Sequence, residues 1–483
     1  MGQNFDRDTF SEAERQQFNG RLQAQLAALE DAMQHPQCSA DTVSLGAELE
    51  MYLVDDNLLP MPVNQEILNH MAHPQLQEEL NRFNLEYNLS PVSATGTPFQ
   101  AMQDELSPIM TRISDYAASI NTQIVPIGIL PTLKPIHLER RFMSDKPRYR
   151  ALTRELRVLR GGPFAIHIRG EDYINMHSDE VTLEGANTSF QVHLRVPRQH
   201  FVAQYNAAQL VTPLALAVAG NSPLFLGKRL WQETRIALFK QSIDHRARGL
   251  SEWRHPARVC FGHGWMRHSP VEQFAESVNL YPPILPYLSS SDRDDFAELN
   301  LHHGTIWRWN RAIFDAQHGP HLRIEYRALP AGPTNIDMMA NAAFIIGLTI
   351  ALSQRIDAAI QALPFNYAEY NFYRAAQHGL DAELIWPQVG QHHPQTRKAR
   401  DIVQTLLGDA ADGLSSIGVV RSEVDRLMQV IEQRVANGQT GAQWQLRTLA
   451  GYNQTFDDEQ SLKLMLTDYV RHCRSGEPVS TWR

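Results

Sequence analysis

The segment His321-Leu322-Arg323-Ile324-Glu325-Tyr326-Arg327 constrains this chain more than any other. Its last five residues alternate, so a β-strand would put Arg323, Glu325 and Arg327 on one face and Ile324 and Tyr326 on the other. The run continues into Ala328-Leu329-Pro330-Ala331-Gly332-Pro333, which is apolar and small. If the polar face points inward, its acid needs a metal or a guanidinium beside it, because an unpaired buried charge is costly. A glutamate and an arginine two residues apart in a cleft suit phosphoryl chemistry: one holds a metal, the other steadies phosphoryl oxygens. The alternative is an exposed strand with an ordinary ion pair, worth little to stability. Arg323, the outer residue of the face, reads as Glu325's neutralising neighbour.

A chain of 483 residues has room for a catalytic domain plus an accessory part. Its net charge of −9 argues against nucleic acid or an anionic membrane as the main partner. Cys38, Cys260 and Cys473 lie far apart with no CxxC pair, which disfavours a disulfide framework or a thiolate zinc site and fits a reducing compartment. The first residues lack a signal-peptide core. The longest apolar stretch, Met338 to Leu352, is interrupted by Asn341 and is short for a bilayer. The expected location is the cytoplasm.

Apolar spacing predicts a helix over 8–35, closed by Pro36, then a strand from Val43 to Val54. Further expectations are a helix over 74–84, a strand over 85–89, a helix over 102–119, a strand over 124–130 and a basic, mostly helical stretch over 140–160. A strand over 189–196 and helices over 207–219, 228–247 and 335–361 follow. Loops are expected at 282–295 and 391–394, and helices dominate from 365 onward. Strands concentrate before residue 330, which predicts an α+β fold: an N-terminal helix (1–39), a catalytic domain (40–361) and a helical C-terminal part (362–483).

Three further groups carry charge. Glu48 and Glu50, in Gly46-Ala47-Glu48-Leu49-Glu50, share one face of their strand, with Leu49 and Met51 on the other. Two carboxylates about 5–7 Å apart repel unless a cation lies between them or one is protonated. Glu79 and Glu86 stand seven residues apart, and Gln191, His193 and Arg195 share a strand face. Each has a bland reading, as wet carboxylates on an edge strand or a helix, or as a histidine satisfied by its surroundings. Several carboxylates with one histidine favour Mg²⁺ or Mn²⁺ over zinc. No Walker motif is present, so any ATP phosphates must be held by metal ions and arginines.

In order along the chain, Gly46-Ala47-Glu48-Leu49-Glu50, the Glu79/Glu86 pair, Phe190-Gln191-Val192-His193, Asn221-Ser222-Pro223-Leu224-Phe225, Arg323-Ile324-Glu325-Tyr326-Arg327 and Asn371-Phe372-Tyr373-Arg374-Ala375-Ala376-Gln377-His378-Gly379-Leu380 resemble the signatures of one family. It is the glutamate–cysteine ligase type 2 group, or carboxylate–amine ligases, of the glutamine synthetase superfamily. The chain departs from it at Gln191, where a second histidine is common. The resemblance implies a glutamine synthetase-like curved antiparallel sheet forming an active-site funnel, with helices outside. It implies ATP-dependent joining of glutamate, or a similar carboxylate, to cysteine or another amine through an acyl phosphate. Glu48, Glu50, Glu79, Glu86, His193 and Glu325 would hold Mg²⁺ or Mn²⁺. Arg327 and Glu325 would be catalytic, Arg327 and His193 would face the nucleotide, and Arg235, Gln191 and Tyr149 would lie on the substrate side. Small molecules are the expected partners, with homo-oligomers possible. A guanidino-kinase-like phosphotransferase and a non-catalytic nucleotide or amino-acid sensor are the competing readings.

Overall fold

A computed structural model describes residues 5–40, 42–246, 255–289, 295–317, 319–387 and 394–483. Parts of the two expected loops, 290–294 and 391–393, lie outside the described residues, as does residue 247 of the helix expected over 228–247.

The architecture is mixed helix and antiparallel sheet. Eight strands form the main sheet: β1 (Ser44–Val54), β2 (Leu76–Glu78), β3 (Asn84–Asn88), β4 (Val92–Ser93), β5 (Gln123–Val125), β6 (Phe190–Arg195), β7 (Asn310–Asp315) and β8 (His321–Tyr326). Their order is β7-β8-β6-β1-β3-β2, with β4 and β5 also paired to β1. Every pairing is antiparallel, and the sheet is open, with β7 and β2 at its edges. β1 is the long central strand, and its alternation buries one face while leaving Ser44, Gly46, Glu48 and Glu50 half-buried on the other. Leu45, Ala47, Leu49, Met51 and Leu53 lie in the core, while Glu48 and Glu50 take the opposite face.

Several local expectations are corrected. The 74–84 stretch is not a helix. Gln77 pairs with Glu86 and Glu78 with Leu85, so the ladder to β3 overrides helical spacing, and Pro74 stands just before it. The helix expected over 228–247 is confined to Arg235–Ser242, because Lys228–Arg229 folds back on Leu224–Phe225 as a hairpin. The long helix expected over 335–361 stops at Ser353 and restarts at Ile356. The strand expected over 124–130 is short and ends before Pro126, which lacks the N–H a ladder needs. Two hairpins (Phe164–Arg169 with Tyr173–Ser178, Glu383–Trp386 with Gln395–Lys398) and strand β7 are additional to those read from the sequence.

The terminal parts are tied to the centre by buried polar contacts. In the N-terminal helix Glu12–Ala32, Arg21 pairs with Glu298 at 2.5 Å and Gln25 donates to the same carboxylate at 2.8 Å. At the other end, helix Ala399–Ser416 packs on helix Asn335–Ser353 at glycines, so close that a Cβ on Gly413 would lie 2.0 Å from the Gly347 carbonyl oxygen. Arg434 reaches from helix Arg421–Asn437 to Asp337 at 2.7 Å, Asn341 at 2.6 Å and the Val218 carbonyl at 2.9 Å. The backbone N–H of Val479 donates to the same Asp337 at 3.0 Å. Two helices, Arg198–Ala219 and Asn335–Ser353, are long and apolar enough to cross a bilayer, contrary to the expectation for the second; 83% and 89% of their most apolar windows are buried.

The Arg434–Asp337 pair gives a stability test. Both side chains are essentially unexposed, so Arg434→Met leaves an uncompensated buried carboxylate. A loss of about 3–5 kcal/mol is expected by urea denaturation. Arg421→Ala, which breaks an exposed pair with Asp425, is expected to cost under about 1 kcal/mol.

Candidate active site

Neighbouring strands bring the candidate acids together through register. On β1, Glu50 stands opposite Glu86 of β3, and Glu48 opposite Gln191 of β6. His193 of β6 faces Gly46 on one side and Glu325 of β8 on the other. Beyond β8, Arg311 of β7 stands opposite Glu325. Glu79 comes from the turn after β2, whose backbone is held where the Ser144 hydroxyl donates to the Glu79 carbonyl at 2.6 Å. The result is two triads, Glu48/His193/Glu325 and Glu50/Glu79/Glu86. In each, one donor atom per residue lies within 4.8 Å of the others. The five carboxyls, though not His193, line a cavity of about 630 Å³ together with Tyr149, Glu184, Gln191, Trp307, Arg311 and Arg327.

The two triads differ in charge balance. Arg327 donates to Glu325 at 3.1 Å and to the Gln191 carbonyl oxygen at 2.5 Å. Arg311 donates from Nη2 to Glu325 at 2.9 Å, with its Nε 2.8 Å from the other carboxylate oxygen. Burial disfavours the charge of Glu325, but Arg311, Arg327 and His193 outweigh it and hold the carboxyl well below the usual range. Burial also opposes ionisation of Glu48, yet its contact with His193, at 3.2 Å, holds it down to about 2. The second triad has no such compensation. Burial and the Glu86 charge push Glu50 up to about 8, although the Ser189 N–H and the Gln191 amide donate to it at 2.7 and 3.1 Å. Burial, then Glu86 and Glu50, drives Glu79 well above its ordinary value. Burial and Glu48 raise Glu86, which accepts from Asn88 at 2.7 Å.

Three clustered carboxyl groups that resist ionisation together would suit a hard divalent cation as a donor set. The other triad, with two carboxylates and an imidazole, suits Mg²⁺ or Mn²⁺ as well. The residues present fit such ions.

All six expected metal-ligating residues thus lie in the two triads, and Gln191 and Tyr149 line the same cavity. Arg235 does not. Its guanidinium is buried, 3.2 Å from Glu233 and donating to the Ala328 carbonyl at 3.1 Å, so it braces the backbone after β8; it does not line the cavity, and reaches it only through its charge, which favours ionised Glu50. Arg323 is corrected too: it pairs with Asp315 at 3.5 Å, and Glu325 is neutralised by Arg311 and Arg327 instead. Sequence reasoning missed Arg311, Glu184 and Trp307. Arg311 left no periodic signal, since Asn310–Asp315 does not alternate polar and apolar residues; only the hairpin with β8 carries it beside Glu325. Glu184 left none, for it lies in the 3₁₀ turn Val181–Ala186, which has no side-chain period to read.

The sequence model of glutamate-cysteine ligase family 2 matches residues 44–465. No curated protein matches the chain at a significant level. Among solved structures, a glutamate–cysteine ligase from Francisella tularensis in complex with AMP aligns over 91% of this chain and 90% of that one, with a TM-score of 0.56 at 12% identity. A bifunctional glutathione synthetase from Pasteurella multocida aligns over 93% of this chain and 55% of that one, with a TM-score of 0.49 at 12% identity. At 12% identity the likeness to the first of these is one of fold.

The charge imbalance predicts a pH effect. Glu50, Glu79 and Glu86 have folded-state values above their unfolded ones, so their contribution is fully present below about pH 4.5 and is lost as the pH rises, through about 8 for Glu50. Glu48 and Glu325, whose values are lowered, titrate below this window and oppose the trend only in acid. A cation held by the carboxylates reverses the penalty. The rise in Tm produced by Mg²⁺ over EDTA is therefore expected to grow from about pH 5 to about pH 8 by differential scanning fluorimetry. A Mg²⁺ effect that is absent, or constant across that range, would contradict the assignment.

Proposed function

The chain belongs to glutamate–cysteine ligase family 2, and on that premise we propose that the protein is an ATP-dependent carboxylate–amine ligase that joins the side-chain carboxyl of glutamate to an amine, cysteine first among candidates. The observation that carries this reading is the placement of two acid triads side by side, joined through β1, with Arg311 and Arg327 converging on Glu325 of the first. A triphosphate and a carboxylate substrate repel one another, and a face rich in carboxylates alone would repel both. Glu48, His193 and Glu325 would hold one divalent cation and Glu50, Glu79 and Glu86 another. Bound there, the ions supply the positive charge that lets the two anions meet and that stabilises the transferring phosphoryl group.

The chain's own residues supply the rest. Buried Arg311 Nη1 and Arg327 Nε have no hydrogen-bond partner among the described residues. These donors are fixed in direction by the bonds to Glu325 and suit phosphoryl oxygens. Arg327 stays charged: burial works against it, but Glu325 and Glu48 raise its value further. Gln191 couples the two halves, accepting from Arg327 while donating to Glu50. A single amide thus links Arg327, which bonds Glu325 of one triad, to Glu50 of the other.

ADP release with glutamate, ATP and a panel of amines, in Mg²⁺ and Mn²⁺, tests the reading. Full turnover is expected only with acid and amine together. Rapid phosphorylation of an amine without glutamate would favour a phosphotransferase instead. Arg327→Ala is expected to lower kcat by about 10²–10³-fold, and unaltered ATP turnover would overturn its placement.

A further inference from the structure

The cavity holds one acid that neither triad uses. Glu184 lines the cavity from the 3₁₀ turn Val181–Ala186. That turn is held on several sides. Asn81 donates to the Thr182 carbonyl at 2.9 Å, Tyr52 to the Ala186 carbonyl at 2.6 Å, and Asn187 to the Leu183 and Glu184 carbonyls at 3.1 and 2.8 Å. A Cβ on Gly185 would lie 2.6 Å from the Asn81 side chain, so turn and Glu79 loop are pressed together. On this fixed platform the Glu184 carboxyl has no hydrogen-bonded partner among the described residues. The charged and titratable groups that face it are Arg327, Arg148, Glu79, Glu50 and Tyr149. Burial raises it to about 7 against the pull of Arg327 and Arg148. A carboxyl that a fixed backbone turn presents to the cavity, with no ligand role in either triad, is placed to accept a proton from a bound substrate.

We propose that Glu184 is the general base that takes a proton from the acceptor's ammonium group, a role that rests on the ligase reading of the site. The acceptor enters as R–NH₃⁺, whose nitrogen has no lone pair to donate. One proton passes to the Glu184 carboxylate. The freed lone pair forms the C–N bond at the acyl carbon of the acyl phosphate, the C–O bond to phosphorus breaks, and its electron pair leaves with phosphate. Phosphate carries off the second nitrogen proton, and the Glu184 carboxyl returns its own to solvent. The acceptor class is thus an amine protonated at neutral pH, docked on the side of the cavity where Glu184 stands with Tyr149.

Hydroxylamine separates this role from a structural one, because it is largely unprotonated at about pH 8 and needs no base. Wild-type enzyme with ATP, Mg²⁺ and glutamate is expected to form the hydroxamate. If it forms none with glutamate or any acid that supports ADP release, the ligase reading itself falls, and the proposal with it. Glu184→Gln is expected to lower turnover of an ammonium acceptor such as cysteine by about 10²-fold or more while leaving hydroxamate formation near wild type. It is also expected to remove the acid limb of the kcat/KM profile for that acceptor. The Mg²⁺-dependent Tm shift serves as the control and should persist. Retained cysteine turnover, equal loss with both nucleophiles, or loss of the Mg²⁺ shift would each overturn the assignment, the last by making Glu184 a metal ligand.

Discussion

The register between β1 and its two neighbours is the constraint on which the rest of the site depends. It sets Glu50 against Glu86 and Glu48 against Gln191, and the next strand sets His193 against Glu325. A slip by one residue would turn Glu48 and Glu50 into the core and Leu49 onto the cavity face. Leu45, Leu49, Met51 and Leu53 prevent that slip by their burial. The apolar face of β1 therefore specifies the polar face, and the acids are gathered as a consequence of where the leucines must go.

Concentrating so many carboxyls creates an electrostatic problem that the molecule solves unevenly. Around Glu325 the answer is built in, through Arg311 and Arg327. Around Glu50, Glu79 and Glu86 it is not, and all three resist ionisation. One half of the site thus carries its own compensating charge, and the other does not. Gln191 lies between them, joining Arg327 on one side to Glu50 on the other. This amide both accepts and donates without taking on charge.

Much of this was legible in the sequence because period-two alternation makes a strand face visible. Glu48 with Glu50, Gln191 with His193 and Glu325 with Arg327 all announce themselves as i, i+2 pairs, and the structure places all six on one face of the sheet. What was not legible depended on chain reversals or on partners distant in sequence. Glu79 was expected on a helix, yet follows the short strand β2, whose ladder to β3 overrides local spacing. Arg235 looked like a substrate arginine because a sequence does not show that Glu233, two residues earlier, captures it. Glu184 lies in an irregular turn held by Asn81 and Tyr52, and no local pattern marks it. The hairpin at Lys228–Arg229 was missed for the same reason: strand pairing with Leu224–Phe225, not propensity, delays the start of that helix.

The central claim is that two cation sites share one sheet face. Electron paramagnetic resonance of Mn²⁺ bound to the protein with a non-hydrolysable ATP analogue tests it most directly. The account predicts two Mn²⁺ ions per chain with dipolar coupling between them, reduced to one uncoupled ion in Glu86→Gln, whose triad is separate from that of Glu48, His193 and Glu325. Binding of no Mn²⁺, or of a single ion that Glu86→Gln leaves unchanged, would contradict it.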